Sequence, residues 1–299
     1  MSDEVVMGLL KDRDLRVVAV NATEVARKAR SLHHMEFAAA SVFAQATVAA
    51  SLMTALQLQK SDARVNFQLE CDGALRGLFI ETNADGHVRG YVKNPFVSTR
   101  GNENEWEWRP VFGNQGYISV LRDQGNGEFF RSSVELSSFD LALDFEKFFV
   151  ASEQLEAAVF LEVIPRDGEA LGSVLGLLIQ PLPSGDREAL AELRRSLRGE
   201  DGLRKIIDDA GDGASAAGLL SRVFDGGDLE LTSRYPLEWN CPCSRDRVVR
   251  ALVTLGSREL EELLAERGKA EADCHFCNAH YEVPGEELRK LIDGMKTAG

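Results

Sequence analysis

The chain has 299 residues, 44% of them hydrophobic, enough to bury one large core and a smaller satellite, so two domains are expected. Asp and Glu outnumber Lys and Arg by 48 to 34, and the net charge of −14 repels nucleic acid and anionic lipid from most of the surface. Residues 1–14 mix acids and bases and lack the apolar core of a signal peptide, which argues against export and predicts a cytoplasmic protein.

The first predicted elements are a strand over residues 15–20 and a helical stretch over residues 22–58. Asn21 or Thr23 is placed to cap the helix, and a break is expected near His33 and His34. Adjacent helical residues point about 100° apart. These two histidines therefore cannot bind one metal ion, and we expect capping or partly buried polar side chains.

Residues 37–59 carry no charge and are long enough to mimic a membrane span. They consist largely of Ala, Ser, Thr and Gln, so their transfer into hydrocarbon would gain little free energy. We expect no membrane association. The small side chains instead predict a buried helix with a sheet packed closely around it.

From residue 64 the apolar period changes to two, which predicts strands. The first contains Val65, Phe67 and Leu69 and ends at Cys71, a small apolar residue in this position. Further strands are expected over residues 75–81 and 88–92, joined by an Asp85-Gly86 turn, and over residues 117–122 and 128–136.

Residues 98–113 are polar and irregular, with Trp106 and Trp108 spaced as on a strand edge. Ser137 or Ser138 is expected to cap a helix over residues 140–151, and strands follow over residues 157–164 and 172–179. The pattern predicts an α+β fold whose N-terminal mixed α/β domain, residues 1–183, has an antiparallel sheet around a buried helix.

Residues 184–236 are predicted to form a helical linker. Leu190, Leu193 and Leu197 have helical spacing, a second helical piece covers residues 214–224, and Gly-rich breaks interrupt both. Such a segment has enough apolar positions to dock on a neighbour but too few to fold alone. Its order should therefore be conditional.

Four of the five cysteines lie in residues 237–299 as two close pairs, Cys241 with Cys243 and Cys274 with Cys277, and 30 residues separate the pairs. A tetrahedral zinc ion with bonds of about 2.3 Å needs four thiolate sulfurs close together, which two such pairs supply. The spacing predicts one Zn²⁺ bound by these four cysteines in a small C-terminal zinc-binding module.

The local signals of this module agree with that arrangement. Ser244 is expected to cap a helix that Gly256 ends, and Ser257 to cap the next helix. A short hairpin over residues 269–273 and 280–283 would carry the second cysteine pair, and residues 286–295 form a last helix. The two pairs can then face each other.

Other uses of the cysteines fit less well. A disulfide scaffold needs an oxidising compartment, and a thioredoxin-like motif needs its cysteines at the start of a helix after a buried strand. A static zinc ribbon that binds nucleic acid or a protein is the main alternative, supported by Arg245, Arg247 and Arg250 on one helix. Against it, residues 237–299 contain 9 Lys or Arg and 12 Asp or Glu, a net charge of −3.

Ordinary enzyme chemistry has no visible site. The phosphate-binding Gly-rich loop is missing, and Ser173 lacks the spacing of a nucleophile elbow. His275 or His280 could act as a metal ligand, but four thiolates already fill the coordination shell and leave no position for a reactive water. We expect no enzyme, and no thiol oxidoreductase turnover.

A redox switch follows from the size of the module. About sixty residues leave little net stability without a metal, and structural zinc contributes roughly 10–16 kcal/mol. Zinc keeps the cysteines as thiolates, the form that oxidants attack. Under oxidant the module should lose zinc, form disulfides and unfold, and the undocked linker would expose apolar surface that binds other proteins.

The terminal signature, from Cys241 to Arg247 and from Cys274 to Tyr281, resembles that of the heat shock protein 33 family, the bacterial redox-regulated holdase chaperones. The resemblance extends upstream to residues 86–95 and 152–154, so it covers nearly the whole chain. The cysteine signature is the specific part of it.

The resemblance implies more than the spacing does. It implies an N-terminal client-binding domain, a metastable linker and a zinc module, with Cys241, Cys243, Cys274 and Cys277 as ligands. It also implies disulfides Cys241–Cys243 and Cys274–Cys277 after oxidation. The activated form would be a homodimer that binds unfolded client proteins without ATP and passes them to ATP-driven foldase chaperones.

Overall fold

A helix without a charged side chain, α2 (Phe37–Gln57), lies at the centre of the larger of two units. In the computed structural model, which describes residues 2–57, 63–97 and 108–298, the chain divides into Met1–Asn240 and Cys241–Gly299. α2 is the one helix of the described ranges long and apolar enough to cross a membrane, but 83% of its most apolar window is buried inside the protein. The prediction of a buried core helix is confirmed.

The strands of the first unit form two sheets, and α2 packs against both of them. The five-stranded sheet has the order β10-β1-β2-β9-β8 and contains β1 (Glu4–Leu10), β2 (Leu15–Asn21), β8 (Ala158–Arg166), β9 (Glu169–Pro181) and β10 (Leu229–Pro236). The six-stranded sheet has the order β11-β5-β4-β3-β6-β7 and contains β3 (Arg64–Cys71), β4 (Gly77–Asn83), β5 (His87–Val92), β6 (Gly116–Asp123), β7 (Phe129–Glu135) and β11 (Glu238–Trp239). Every pairing is antiparallel except that of β11 with β5.

The other helices of this unit follow the chain. They are α1 (Thr23–His33), α3 (Trp108–Phe112), α4 (Leu141–Phe148) with a π-helical turn Phe149–Glu153, α5 (Arg187–Leu197), α6 (Leu203–Ala210) and α7 (Ala216–Val223). The second unit contains α8 (Arg245–Leu255), α9 (Ser257–Arg267), the hairpin β12 (Lys269–Asp273) and β13 (His280–Pro284), and α10 (Gly285–Ala298). The predicted α+β class is confirmed, with two sheets, antiparallel apart from the β11–β5 pair, around the helix where one was expected.

Small residues allow the central helix and the five-stranded sheet to approach closely. A Cβ atom at Gly176 of β9 would lie 2.2 Å from Cγ1 of Val48 on α2, far inside van der Waals contact. Within α2, Thr47, Ser51 and Thr54 donate their hydroxyl hydrogens to carbonyls four residues earlier, so these buried polar groups are satisfied.

Several local predictions are corrected by the structure. Trp108 begins helix α3 and is not on a strand edge, while Trp106 lies outside the described residues. Asp140 caps α4 by accepting from the Leu143 amide, and Ser137 and Ser138 instead donate their amides to Asp144. Strands β1 and β10 were not predicted.

The break between α1 and α2 falls where it was expected. His33 is the last residue of α1 and is buried, with its ring edge-on to Trp239 at 6.3 Å. His34 has a left-handed backbone, φ 51°, and its amide donates to the Arg30 carbonyl, so it caps the helix. The predicted structural roles of both histidines are confirmed.

The N-terminus of α1 is bound by the side chain of Asp3, the residue just before β1. The capping residue itself is Ala22, and Asn21 accepts from the amide and hydroxyl of Thr23. The buried Asp3 carboxylate accepts from the amides of Glu24 (3.0 Å) and Val25 (2.7 Å). Burial raises the pKa of Asp3 to about 6, and the two amide hydrogen bonds oppose that shift.

This shift predicts a pH-dependent stability. The folded-state pKa of Asp3 exceeds its ordinary value of 3.8, so the contribution of Asp3 is fully present below pH 3.8 and is lost as pH rises through 6. Relative to Asp3→Asn, the wild-type unfolding free energy should fall by about 3 kcal/mol between pH 4 and pH 7.5. Urea unfolding of both proteins across this range measures the difference.

The exposed residue Asp12 provides the matched control, because the same change there removes a carboxylate that is not buried. The difference in unfolding free energy between Asp12→Asn and wild type should vary much less between pH 4 and pH 7.5 than the difference for Asp3→Asn. A pH-independent difference for Asp3→Asn would contradict the assignment of a raised pKa to this carboxyl.

Candidate metal centre and covered sheet face

The backbone of the second unit places the two cysteine pairs at the ends of regular elements. Cys241 and Cys243 come just before α8, whose N-cap Ser244 accepts from the Arg247 amide, as predicted. Cys274 and Cys277 lie in the turn between β12 and β13. There the Asn278 amide donates to the Cys274 carbonyl at 2.8 Å, and the Cys274 amide donates to the Ala279 carbonyl at 2.9 Å.

The four sulfur atoms converge on one point. Sγ of Cys241 is 3.6 Å from that of Cys274, Sγ of Cys243 is 3.2 Å from that of Cys277, and all four lie within 4.8 Å of one another. A tetrahedron with metal–sulfur bonds of about 2.3 Å has edges of about 3.8 Å, so this donor set could hold a metal ion. Four thiolates would fill its shell.

The sulfurs differ in their hydrogen bonds. Burial alone would raise the pKa of the Cys243 thiol, but hydrogen bonds from the Tyr281 hydroxyl and neighbouring thiols outweigh it and lower the pKa to about 7. Burial and hydrogen bonding to the other thiols raise the pKa of Cys277. The pKa of Tyr281 is raised to about 12 by its bond to Cys243, so the phenol stays protonated and donates.

The histidines of this unit stand outside the sulfur cluster. His280 lies on the exposed side of the hairpin with Nδ1 2.7 Å from Asp273, and its neighbours Glu271 and Glu282 both pair with Lys269. Arg245, one of the three arginines that favoured a nucleic-acid interface, is bound to Glu287. That pairing reduces the positive charge available to a phosphate.

The apolar core of the second unit is small. The buried apolar side chains of its described part are Leu260, Ala270, Val283, Leu288 and Ile292. Helix α8 buries none of its residues, and Val253 and Leu255 are exposed. So few buried side chains leave little stability at this size without a crosslink or metal.

Cys71 belongs to the other unit and is not a member of the cluster. It ends β3 as predicted, is partly buried, and contacts the Val111 carbonyl at 3.9 Å. Burial raises the pKa of its thiol, which makes it a poor nucleophile.

Helices α5, α6 and α7 cover an apolar face of the five-stranded sheet in the first unit. We call it the covered face. Its sheet side chains are Val6, Leu10, Leu15, Val17, Ala19, Ala158, Phe160, Ile164, Leu175, Leu177 and Ile179. The helices contribute Ala189, Leu190, Leu197, Leu203, Ile207, Ala216, Leu219, Leu220 and Phe224. The helical spacing predicted for Leu190, Leu193 and Leu197 is confirmed, since all three pack on this face.

A charged clasp, formed by Glu146, Glu156, Arg194 and Arg198, holds α5 at one side of the covered face. Arg198 lies 2.7 Å and Arg194 3.9 Å from the Glu146 carboxylate, which also accepts from the Val159 amide at 2.7 Å. Arg194 contacts Glu156 at 3.3 Å and donates to the Ala157 carbonyl at 3.0 Å. Glu146 is only 14% exposed, so these pairs are partly desolvated.

Sequence reasoning found the four cysteines but missed Tyr281 as their hydrogen-bond donor and missed the clasp. The predicted hairpin put Tyr281 near the second cysteine pair, but its contact with Cys243 depends on how the first pair folds back. The clasp joins residues 38 or more positions apart, which no local pattern in one sequence reveals.

Comparisons with known proteins agree on one family. The family model described as Hsp33 protein matches residues 3–284. The 33 kDa chaperonin of a Cyanothece species is 35% identical over 99% of this chain and 98% of its own length, and that of Bacillus subtilis is 32% identical over 97% and 98%. The crystal structure of the 33 kDa chaperonin (heat shock protein 33 homolog) of Thermotoga maritima matches with a TM-score of 0.85 at 27% identity and covers the whole of both chains.

The sulfur geometry predicts metal binding that depends on each cysteine of the cluster. The reduced chain should bind one zinc ion, and Cys274→Ser should weaken binding by at least ~100-fold because a ligand is lost from a closed shell. Competition with a chromophoric chelator measures the affinity. Cys71→Ser should bind zinc like wild type, and equal affinity for Cys274→Ser and Cys71→Ser would exclude the cluster as the site.

Proposed function

The chain belongs to the Hsp33 family, and from this membership we propose that it is a redox-regulated, ATP-independent chaperone, a holdase. In its reduced form it binds one Zn²⁺ through Cys241, Cys243, Cys274 and Cys277 and is inactive. Oxidation releases the zinc, unfolds the C-terminal module and linker, and exposes apolar surface that binds unfolding proteins. The single observation that carries the proposal is the convergence of four sulfurs in a unit with so small a core.

The proposal divides the chain into three functional parts. Residues 1–183 are the client-binding domain, residues 184–236 the metastable linker, and residues 237–299 the zinc-binding redox-switch module. The linker helices bury their apolar side chains on the covered face, and this packing supports a docked, inactive state. Helices of eight to eleven residues such as α5, α6 and α7 are unstable once they leave that face.

The metal would supply charge neutralisation and a crosslink among the four sulfurs. The chain's residues fit it, because four soft thiolate donors within 4.8 Å of one another favour zinc over harder cations. Structural zinc contributes roughly 10–16 kcal/mol, well above the stability expected of a sixty-residue unit. The folded state of this unit should therefore require the metal.

The switch step is an oxidation of thiolates by a peroxide. Two thiolates give two electrons to one peroxide molecule and, with two protons, yield one disulfide and two water molecules. We propose the pairs Cys241–Cys243 and Cys274–Cys277, as the family resemblance implies. A disulfide sulfur carries no negative charge, so two disulfides leave no thiolates to bind the cation.

Unfolding of the module would act on the linker through the continuous chain. Trp239 of β11 stands two residues before Cys241, and β10 lies between it and α7. Release of α5, α6 and α7 would expose both their apolar sides and the covered face, and an exposed apolar surface of that extent binds other proteins. The covered face is our candidate client-binding surface.

We also propose the oligomeric state, partners and compartment of the activated chain. The activated chain acts as a homodimer in the cytoplasm, binds unfolded or partly folded clients, and hands them to ATP-driven foldases after reduction. It is not an enzyme and has neither nucleic acid nor membrane as a partner. The net charge of −14 supports the last point.

Light scattering of a heat-unfolding client protein tests the function. Reduced, zinc-loaded chain should leave aggregation unchanged, and peroxide-treated chain should suppress it several-fold, because only oxidation exposes the covered face. Cys71→Ser should behave like wild type. Equal suppression by both forms, or by neither, would refute redox control.

The clasp predicts a variant that is active without oxidant. Arg194→Ala leaves two partly buried carboxylates with weaker partners and should cost about 1–3 kcal/mol of linker docking. The reduced variant should suppress aggregation partially and show faster amide hydrogen exchange over residues 187–223. Arg195→Ala is the matched control, because Arg195 is exposed and, among the described residues, its guanidinium hydrogen-bonds only to the Ala191 carbonyl of its own helix. Indistinguishable exchange in the two variants would remove the clasp from the docking mechanism.

A further inference from the structure

Tyr281 contacts the sulfur cluster although it is not a cysteine. Its hydroxyl lies 3.0 Å from Sγ of Cys243. The phenol donates and the sulfur accepts, since a thiolate has no hydrogen to give. This contact joins the β12–β13 hairpin to the segment before α8, 38 positions earlier in the chain. It belongs to the shell around the cluster and is not itself a metal-ligand bond.

The hairpin fixes the direction of the tyrosine ring. In β13, Tyr281 lies opposite Ala272, and Val283 lies opposite Ala270. Residues two apart in a strand share one face, and Val283 is fully buried in the core of the unit. Tyr281 therefore projects from the packed face, while His280 and Glu282 project to the exposed one. On this face the ring presents its hydroxyl to Cys243.

We propose that Tyr281 is a positioning residue that holds the Cys243 sulfur and slows its reaction with oxidants, so that it sets the oxidant level at which the switch responds. This inference rests on the proposed redox function and assigns part of its regulation to one hydrogen bond. The bond withdraws electron density from the sulfur and occupies one of its lone pairs. Both effects lower the nucleophilicity of a thiolate without changing the number of ligands.

The reaction affected is the first oxidation step at this sulfur. The Cys243 thiolate donates an electron pair to one oxygen of hydrogen peroxide, the O–O bond breaks, and a sulfenic acid and hydroxide form. A second thiolate of the cluster then attacks the sulfenic sulfur, which releases a second hydroxide and closes the disulfide. The phenol hydrogen bond competes with the first of these steps, because the donated lone pair is the one that it engages.

The experiment compares wild type with Tyr281→Phe, which removes only the hydroxyl. Both full-length proteins are loaded with zinc, and zinc release is followed with a chromophoric chelator with and without hydrogen peroxide. We expect Tyr281→Phe to release zinc about 5–10 times faster under peroxide, a clearly larger rise than in the absence of oxidant. Tyr117→Phe, the same change at an exposed tyrosine of β6, should match wild type in both measurements.

A spectroscopic measurement separates this role from a merely structural one. In the Co²⁺-loaded proteins, loss of the hydrogen bond raises the energy of the sulfur lone pairs, so the sulfur-to-cobalt charge-transfer band of Tyr281→Phe should move to longer wavelength. Equal oxidation rates with an unshifted band would overturn the inference while leaving the proposed function intact. An equal rise of the rates with and without peroxide would overturn it too, because it would mean a loosened fold. Wild-type chain that retains no zinc would instead overturn the proposed function, and this inference with it.

Discussion

Four cysteine sulfurs within 4.8 Å of one another, which would all be thiolates when they bind a metal ion, are the constraint on which the rest of this molecule depends. Like charges this close repel strongly, and a cation at their centre reverses the sign of the interaction. The second unit has too few buried apolar side chains to overcome that repulsion by packing alone. With so small a core, the proposed metal would be the main stabilising contact of this unit.

The first unit contains the complementary feature, a sheet that is apolar on both faces. One face packs on the uncharged helix α2, and the other is the covered face under α5, α6 and α7. A strand with both faces buried usually belongs to a permanent core. Here one of the two covering layers consists of three short helices, of which α5 and α6 are highly charged, and the charged clasp contacts α5 at one side.

The sequence alone specified what depends on local pattern and on cysteine chemistry. The four cysteines, the hairpin that carries two of them, the uncharged helix and the linker helices all follow from spacing and period. Strand β10 was not predicted because six of its eight residues are exposed and show no apolar pattern. It is an edge strand that forms through its pairing with β1. Tyr281 and Arg194 were also missed, because their partners are brought to them only by the fold.

Strand β10 has a further consequence for the opened molecule. It pairs with β1 along one edge only, and six of its eight residues are exposed, so its departure would remove only the side chains of Leu229 and Tyr235 from the apolar clusters. The main-chain amides and carbonyls of β1 would then line a vacant rim beside the uncovered apolar surface. Such a rim would pair with the backbone of an extended segment whatever its side chains, which suits a chaperone whose clients share only their unfolded state.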